Sequence, residues 1–235
     1  MKIIYYTNNG KVRTHNEDGL LIGKEIVLAS MDEPKVTEGV YELLSVSDGM
    51  GGSKYGEVAT KVFLTNIATT TVKSEDDLVT VVEKTQKELE GVDTGCAAAG
   101  IVIGKNSFVF NIGDCRVYKR EDIFLNKLTK DHSVVQTLID AGEISEEEAL
   151  EHPKKNVLTS ALTPTSKVDV YTKKISLSEG NTYLICTDGL WGEFGIDELE
   201  ECFDAESIYE INTKLLSSTR EKKLEDNISY ILLEV

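Results

Sequence analysis

Basic residues are scarce in this sequence: 25 lysines and arginines stand against 41 aspartates and glutamates, which gives a formal net charge of −16. Binding to nucleic acid depends on clustered lysines and arginines that neutralise phosphates. The short basic runs here are interrupted by acidic residues, so we expect no nucleic-acid partner. A strong negative field suits a protein that concentrates divalent cations, but charge alone does not decide between functions.

Cysteine, proline and long apolar runs are also scarce. The four cysteines form no C-x-x-C pair, so we expect buried free thiols in a reducing compartment. The sequence shows no secretory signal and no apolar run of membrane-spanning length. Only three prolines occur, and no repeat or flexible linker interrupts the chain. We therefore expect one domain over 1–235 in a cytoplasmic, monomeric protein without membrane association.

Apolar residues follow the periods of both strands and helices. Eight runs rich in Ile, Val, Leu, Tyr and Phe predict β-strands, and four segments with helical spacing predict helices, the third with Asp131 as its N-cap. The strand runs are 2–7, 19–29, 40–47, 99–103, 107–112, 168–175, 182–187 and 227–235, and the helices are 54–68, 75–90, 132–142 and 205–218. Grouped strands with paired helices predict an α+β fold, an antiparallel β-sandwich flanked by helix pairs.

Acidic residues stand at the ends of several predicted strands. Apolar runs lead into Asp48 with Gly49, into Asp188 and into Asp114, and Asp226 precedes the last strand. Rigid strand ends can hold carboxylates in a required geometry, and all-oxygen ligands favour hard cations such as Mg²⁺ or Mn²⁺. A single Asp-Gly is more often a hairpin turn. Around Asp48, however, four glycines precede a helix, which a simple turn does not need.

A second charged cluster lies at 10–18, after the first predicted strand. Taken alone, such a cluster is more often a solvated turn. In the functional interpretation, the planar guanidinium of Arg13 binds a phosphate through two hydrogen bonds. Glu17 and Asp18 would then hold water molecules around the metal ions.

Six segments resemble, in the same order, the motifs of the metal-dependent protein serine/threonine phosphatases, the type 2C or PPM family, and especially its bacterial members. They are Arg13 with 16–18, then 48–52, 113–118, a flap segment of about 131–165 that begins at Asp131, 187–190, and 226–227. Each motif is weak by itself, and the resemblance depends on their shared order over residues 10–235. The implied fold, two packed antiparallel sheets with helix pairs outside, agrees with the predicted order of elements.

The resemblance implies hydrolysis of phosphoserine and phosphothreonine by in-line attack of a water that bridges two manganese or magnesium ions (Mn²⁺ or Mg²⁺). It implies that Asp48 bridges both ions, with the Gly49 carbonyl on one and Asp188 and Asp226 on the other. Asp114 resembles the ligand of a third, weakly bound ion. The implied partners are phosphoproteins, namely serine/threonine kinases or their substrates.

The sequence departs from the family pattern at the expected proton donor. Many bacterial relatives have His just after the Gly-Gly and eukaryotic ones have it directly after Asp-Gly, where this chain has Ser53 and Met50. The sequence therefore does not support a His general acid, and we expect a water to protonate the leaving oxygen. His15, His132 and His152 lack metal-ligand spacing, so we expect structural or surface roles for them.

Other phosphatase chemistries fit the sequence poorly. A cysteine-based phosphatase needs Cys-x5-Arg, and no arginine follows any of the four cysteines at that spacing. A P-loop is disfavoured because Glu57 stands where a lysine would contact phosphate. Two alternatives stay open: a catalytically silent family member that acts as a binding module, and a small-molecule phosphomonoesterase. The presence of Asp48, Asp188 and Asp226 favours the active protein phosphatase.

Overall fold

The computed structural model describes residues 1–50 and 55–235, and within these ranges the chain forms twelve strands and seven helices. The strands are β1 (Lys2–Asn8), β2 (Gly19–Ile22), β3 (Glu25–Val27), β4 (Lys35–Glu38), β5 (Leu43–Gly49), β6 (Cys96–Val102), β7 (Phe108–Ile112), β8 (Arg116–Glu121), β9 (Phe124–Lys127), β10 (Tyr171–Lys174), β11 (Thr182–Cys186) and β12 (Ile228–Glu234). The helices are α1 (Gly56–Thr69), α2 (Glu75–Glu88), α3 (Val134–Asp140), α4 (Glu146–Leu150), α5 (Asp188–Trp191), α6 (Ile196–Phe203) and α7 (Ile208–Glu221).

The strands form two six-stranded sheets that pack face to face. Sheet 1 has the order β4-β1-β12-β11-β8-β9, and sheet 2 has the order β10-β7-β6-β5-β2-β3. All strand pairs within the described residues are antiparallel. With helices α1 and α2 on sheet 2 and α6 and α7 on sheet 1, the molecule has four layers. The predicted α+β antiparallel sandwich is confirmed.

The burial of both faces explains why the central strands read as continuous apolar runs. In β12, Ile231 and Leu233 belong to the core between the sheets. Tyr230 and Leu232 point to the other face and pack beneath α6 and α7. A third core lies between sheet 2 and helices α1 and α2, where Phe63 is fully buried. Each such side chain contributes about 1.5–3 kcal/mol to stability.

The helix starts follow local capping chemistry. Helix α3 begins behind Ser133, whose side chain accepts a hydrogen bond from the backbone N–H of Gln136. The predicted N-cap, Asp131, is therefore wrong, because its carboxylate instead binds the guanidinium of Arg116. A serine also caps α7: the Ser207 hydroxyl accepts from a backbone N–H of the first turn. A hydroxyl at this position satisfies a donor that the helix leaves unpaired.

Several other elements differ from the predictions. The predicted strand 19–29 is two strands, β2 and β3, which pair as a hairpin. The predicted helix 205–218 begins later, at Ile208. Strands β4, β8 and β9 and helices α4, α5 and α6 were not predicted. All four cysteines are free and buried, which confirms the prediction of buried thiols.

The predicted flap segment, 131–165, leaves the sandwich near sheet 1 and returns on sheet 2. It contains α3 and α4, and its last part pairs with β6 through a bridge between Leu162 and Cys96.

In the parts of the chain that are described, none of the helices combines the length and apolar character that a bilayer-spanning segment requires.

Candidate functional site

Five aspartates meet at one end of the sandwich, where strands of both sheets begin or end. Asp48 is the penultimate residue of β5, and Asp188 begins α5 two residues after the end of β11. Asp18 and Asp226 precede β2 and β12, and Asp114 lies between β7 and β8. Each of the five interacts electrostatically with at least one other. The structure thus brings together all the acidic residues of the predicted metal site.

Burial and mutual repulsion raise the pKa values of these carboxyl groups. Burial raises the pKa of Asp18 to about 7, and the charges of Asp188 and Asp226 act in the same direction. Burial followed by the charge of Asp188 raises the pKa of both Asp48 and Asp114 well above the usual range. Burial also raises the pKa of Asp188, although its hydrogen bond with Asp48 lowers it. Like charges held this close favour protons or a cation among them.

Two glycines allow the backbone to approach closely at this site. A Cβ atom on Gly189 would lie 1.8 Å from the carbonyl oxygen of Asn227, so only glycine lets α5 pack on the segment that carries Asp226. A Cβ on Gly49 would lie 2.5 Å from the backbone of Gly56. Gly49 belongs to β5 and Gly189 to α5, so neither Asp-Gly pair forms a hairpin turn. In both cases the glycine permits close packing beside a carboxylate.

Neutral side chains hold the loops that carry the carboxylates. The side chain of Asn227 accepts from the backbone N–H of Glu17 at 2.8 Å and donates to the carbonyl of His15 at 2.9 Å. The Thr187 hydroxyl donates to a carboxylate oxygen of Asp18 at 3.0 Å. The sequence reasoning assigned no role to Asn227 or Thr187. The only indication in the sequence of a role for these two residues is that each is adjacent to a predicted metal ligand, Asp226 or Asp188.

Like Asp18, the other two predicted residues of the 10–18 cluster, Arg13 and Glu17, lie at the site. The Nη2 atom of Arg13 donates to the Oδ2 atom of Asp226 at 2.8 Å, and both side chains are 44% exposed. Burial, followed by the charge of Glu57, raises the pKa of Glu17. The cluster is therefore next to the aspartates and is not an isolated solvated turn. The site combines an accessible guanidinium with partly shielded carboxylates.

The donor set fits hard divalent cations, since carboxylate and carbonyl oxygens are their preferred ligands. Asp18 and Asp114 are buried, whereas Asp48, Asp188 and Asp226 keep partial exposure, so an ion could reach them. As the side chains stand, the described residues include no group of three or more His, Cys, Asp or Glu that could hold a metal ion. The raised pKa values of the aspartates nevertheless indicate a shared negative field that a cation would offset.

Of the two residues that stand where family members have His, the structure describes Met50 but not Ser53. The backbone N–H of Met50 donates to the carbonyl of Gly95 at 3.0 Å, while Ser53 lies outside the described residues. Among the histidines, His15 is exposed. His132 accepts a backbone hydrogen bond from Gly113 at 3.1 Å, which confirms a structural role.

Known proteins resemble this chain both in sequence and in structure. The serine/threonine phosphatase Stp of Listeria monocytogenes is 31% identical, and the match covers 98% of this chain and 94% of the relative. The serine/threonine protein phosphatase PstP of Mycobacterium tuberculosis is 27% identical over 97% of this chain and 44% of its own length. A scan against protein-family models finds no match.

Solved structures show the same fold. The PPM Ser-Thr phosphatase MsPP from Mycobacterium smegmatis, crystallised in complex with cacodylate, superposes with a TM-score of 0.82 at 23% identity, covering 99% of this chain and 97% of its own. The catalytic domain of PstP in complex with 2 manganese ions gives a TM-score of 0.76 at 23% identity, covering 100% of this chain and 99% of its own. The antiparallel sandwich of this chain is thus the fold of the PPM-type phosphatases.

The chain belongs to the bacterial PPM, or type 2C, family of serine/threonine phosphatases. It is an enzyme, a protein serine/threonine phosphatase, as the sequence motifs predicted.

Proposed function

We propose that this chain removes phosphate from phosphoserine and phosphothreonine in proteins, with two divalent cations held by Asp48, Asp188 and Asp226. The observation that carries the proposal is the group of mutually repelling aspartates beside the half-exposed Arg13. Such a group favours cations, and the guanidinium suits a phosphate. The complex of PstP with 2 manganese ions supports the choice of Mn²⁺, with Mg²⁺ as the alternative.

Each predicted ligand has a position that suits its proposed role. Asp48 interacts with Asp18, Asp114 and Asp188, which supports its role as the residue that bridges both ions. Asp188 interacts with Asp226, and these two are proposed to complete one ion's ligand set. The Gly49 carbonyl is proposed for the other ion. Asp114, which interacts with Asp188, is proposed to hold a third, weakly bound ion.

The surrounding residues are proposed to orient the substrate and the water. When bound, the cations supply Lewis acidity, which activates a bridging water for in-line attack on phosphorus and neutralises charge on the phosphoryl group. Arg13 would hold a phosphate oxygen, because its guanidinium has five donors and can contact Asp226 and the phosphate together. Glu17 and Asp18 would accept hydrogen bonds from water.

The reaction ends with cleavage of the bond between phosphorus and the serine or threonine oxygen. That oxygen must gain a proton. Met50 stands where eukaryotic relatives have His, so a water in the site is the proposed donor. The proposed partners are phosphoproteins, namely serine/threonine kinases or their substrates. Monomeric state and cytoplasmic location stay predictions.

The test is an assay of the purified protein on phosphoserine and phosphothreonine peptides with Mn²⁺ and, separately, with EDTA. We expect activity only with the cation. Asp48→Asn and Asp188→Asn should each lower kcat/KM by more than about 100-fold. Replacing a residue that only hydrogen-bonds a metal ligand already lowers metal affinity or activity by about 10–100-fold. Asp76→Asn, at an exposed position of α2, is the matched control and should retain activity.

Three outcomes would oppose the proposal. Activity that persists in EDTA, or in both Asn variants, contradicts the two-ion mechanism. Inactivity of the wild type with Mn²⁺ favours the binding-module alternative. Hydrolysis of p-nitrophenyl phosphate without hydrolysis of any phosphopeptide favours a small-molecule phosphomonoesterase.

A further inference from the structure

The largely buried guanidinium of Arg116 lies near Asp114 and Asp188. The guanidinium of Arg116 contacts both carboxylate oxygens of Asp131, with Nη2–Oδ2 at 2.6 Å, and donates to the Tyr118 hydroxyl at 2.9 Å. Its planar face stacks on the ring of Trp191 at 3.4 Å. The side chains of Arg116 and Asp131 are only 19% and 4% exposed. We call Arg116, Tyr118, Asp131 and Trp191 the Arg116 cluster.

Trp191 connects this cluster to two of the aspartates. Its indole Nε1 donates to the backbone carbonyl of Asp114 at 3.0 Å. Trp191 also ends the short helix α5 that Asp188 begins, and residues three apart in a helix lie on the same side. One rigid ring therefore fixes the distance between the backbones of Asp114 and Asp188.

The loop that carries Asp114 is held from the opposite side by the start of the 131–165 segment. The backbone N–H of Gly113 donates to His132 Nδ1 at 3.1 Å, and the backbone N–H of His132 returns a bond to the Gly113 carbonyl at 2.8 Å. Asp131 precedes His132, so the ion pair with Arg116 anchors this contact too.

The charge of Arg116 reinforces the arrangement. Asp114 and Asp188 repel each other, whereas the guanidinium of Arg116, held by Asp131 and stacked on Trp191, attracts both carboxylates. A fixed positive charge beside two carboxylates offsets part of the repulsion between them. It allows the two carboxylates to lie close together, as they must to bind one cation.

We infer that Arg116 and Trp191 are positioning residues for the cation site shared by Asp114 and Asp188. They set the separation and orientation of the two carboxylates without contacting the ion, and so determine its affinity at the weaker position. This inference rests on the proposed function, because it assumes that divalent cations bind the aspartates. Groups of this kind typically change metal affinity by 10–100-fold.

The test measures Mn²⁺ binding by isothermal titration calorimetry in wild type, Trp191→Phe and Arg116→Lys. Trp191→Phe keeps an aromatic face but loses the N–H donor, and Arg116→Lys keeps the charge but loses the planar fork. We expect the weaker class of site to lose about 10-fold or more in affinity, with the tighter class little changed. Arg120→Lys, on the same strand but bonded to Ala205, is the matched control and should bind like wild type.

A second measurement needs no variant of the cluster. The chain has one tryptophan, so ¹⁵N-labelled protein gives one indole N–H signal, from the group that donates to Asp114. Titration with diamagnetic Mg²⁺ should shift this signal with the weaker dissociation constant, and Asp114→Asn should abolish the shift.

The outcomes separate this inference from the proposed function. Wild type that binds no Mn²⁺ and hydrolyses no phosphopeptide contradicts the proposed function. Wild type that binds Mn²⁺, with wild-type affinities in both folded variants or an indole signal that Mg²⁺ leaves in place, overturns only the positioning role. Uniform loss of affinity at all sites, together with a lower Tm, also overturns it, since that indicates general destabilisation.

Discussion

Thr187 immediately precedes Asp188, and its hydroxyl donates to Asp18, a carboxyl group that is 2% exposed. Thr187→Val keeps the shape of the side chain but removes this donor. We expect the free energy of unfolding to fall by about 1–3 kcal/mol, because a buried acceptor loses a partner. Phosphatase activity should fall by about 10-fold, since Asp18 then loses its orientation. Urea unfolding and kcat/KM measure the two effects.

Thr182→Val is the matched control for this variant. Thr182 is also buried and begins the strand that Thr187 follows, about 16 Å away at the rise of a strand. Its replacement should leave activity within about twofold of wild type. Equal activity of Thr187→Val and Thr182→Val would show that the hydroxyl of Thr187 does not matter to the site.

Single residues differ in how well their roles can be predicted from sequence. The aspartates could be identified because each stands beside a strand, and their motif order carries a family resemblance. The bonds of Asn227 to Glu17 and His15 could not be predicted, because its partners are backbone groups some 210 positions away. Any side chain at those positions offers the same backbone atoms, so no sequence pattern marks the contact.

Helix α5 provides a prediction at the scale of secondary-structure elements. Gly189→Ala would place a methyl group 1.8 Å from the carbonyl oxygen of Asn227, which forces α5 away from the start of β12. We expect a loss of about 1–3 kcal/mol or more in stability and a loss of Mn²⁺-dependent activity greater than 10-fold, because Asp188 and Asp226 move apart.

Gly104→Ala is the control for the glycine variant. A Cβ at Gly104 would meet nothing within 4 Å, so stability in urea and activity should stay near the wild-type values. A Gly189→Ala protein with a wild-type urea midpoint and wild-type activity would mean that α5 can shift without affecting the site.

The elements missed by the sequence analysis have a common physical origin. Strand β8 reads Arg-Val-Tyr-Lys-Arg-Glu, and β9 lies at the edge of sheet 1, so solvent covers part of both and the apolar pattern is weak. Helix α6 contains four acidic residues among eight. The central strands were predicted because burial on both faces demands apolar side chains. The missed elements are stabilised by contacts with particular neighbouring elements, which the residue composition of a segment does not reveal.

The aspartates together predict how the stability of the whole molecule depends on pH. The folded form binds the Asp18 proton up to a pKa of about 7, whereas an unfolded aspartate releases it near pH 4. The folded state therefore holds more protons between these values, so its stability falls as pH rises across the window. The raised pKa values of Asp48, Asp114 and Asp188 act in the same direction.

We expect the Tm in EDTA to decrease from pH 5 to pH 8, and calorimetry can measure it. With Mn²⁺ the decrease should disappear or reverse, because cation binding competes with protons and strengthens as they leave. Asp18→Asn removes one of the contributing groups and should flatten the decrease in EDTA. A Tm in EDTA that rises between pH 5 and pH 8 would contradict the assigned burial of these carboxyl groups.

The pairing of β12 between β1 and β11 has a consequence for synthesis on the ribosome. Strand β1 emerges early, but its neighbour β12, and Asp226 before it, emerge only after the other elements of the described chain. A nascent chain that lacks β12 exposes the unpaired edges of β1 and β11, which favour aggregation. A chain interrupted before Asp226 also lacks one of the proposed metal ligands. We therefore expect fragments from interrupted translation to lack phosphatase activity, because activity requires β12 to be in place between β1 and β11.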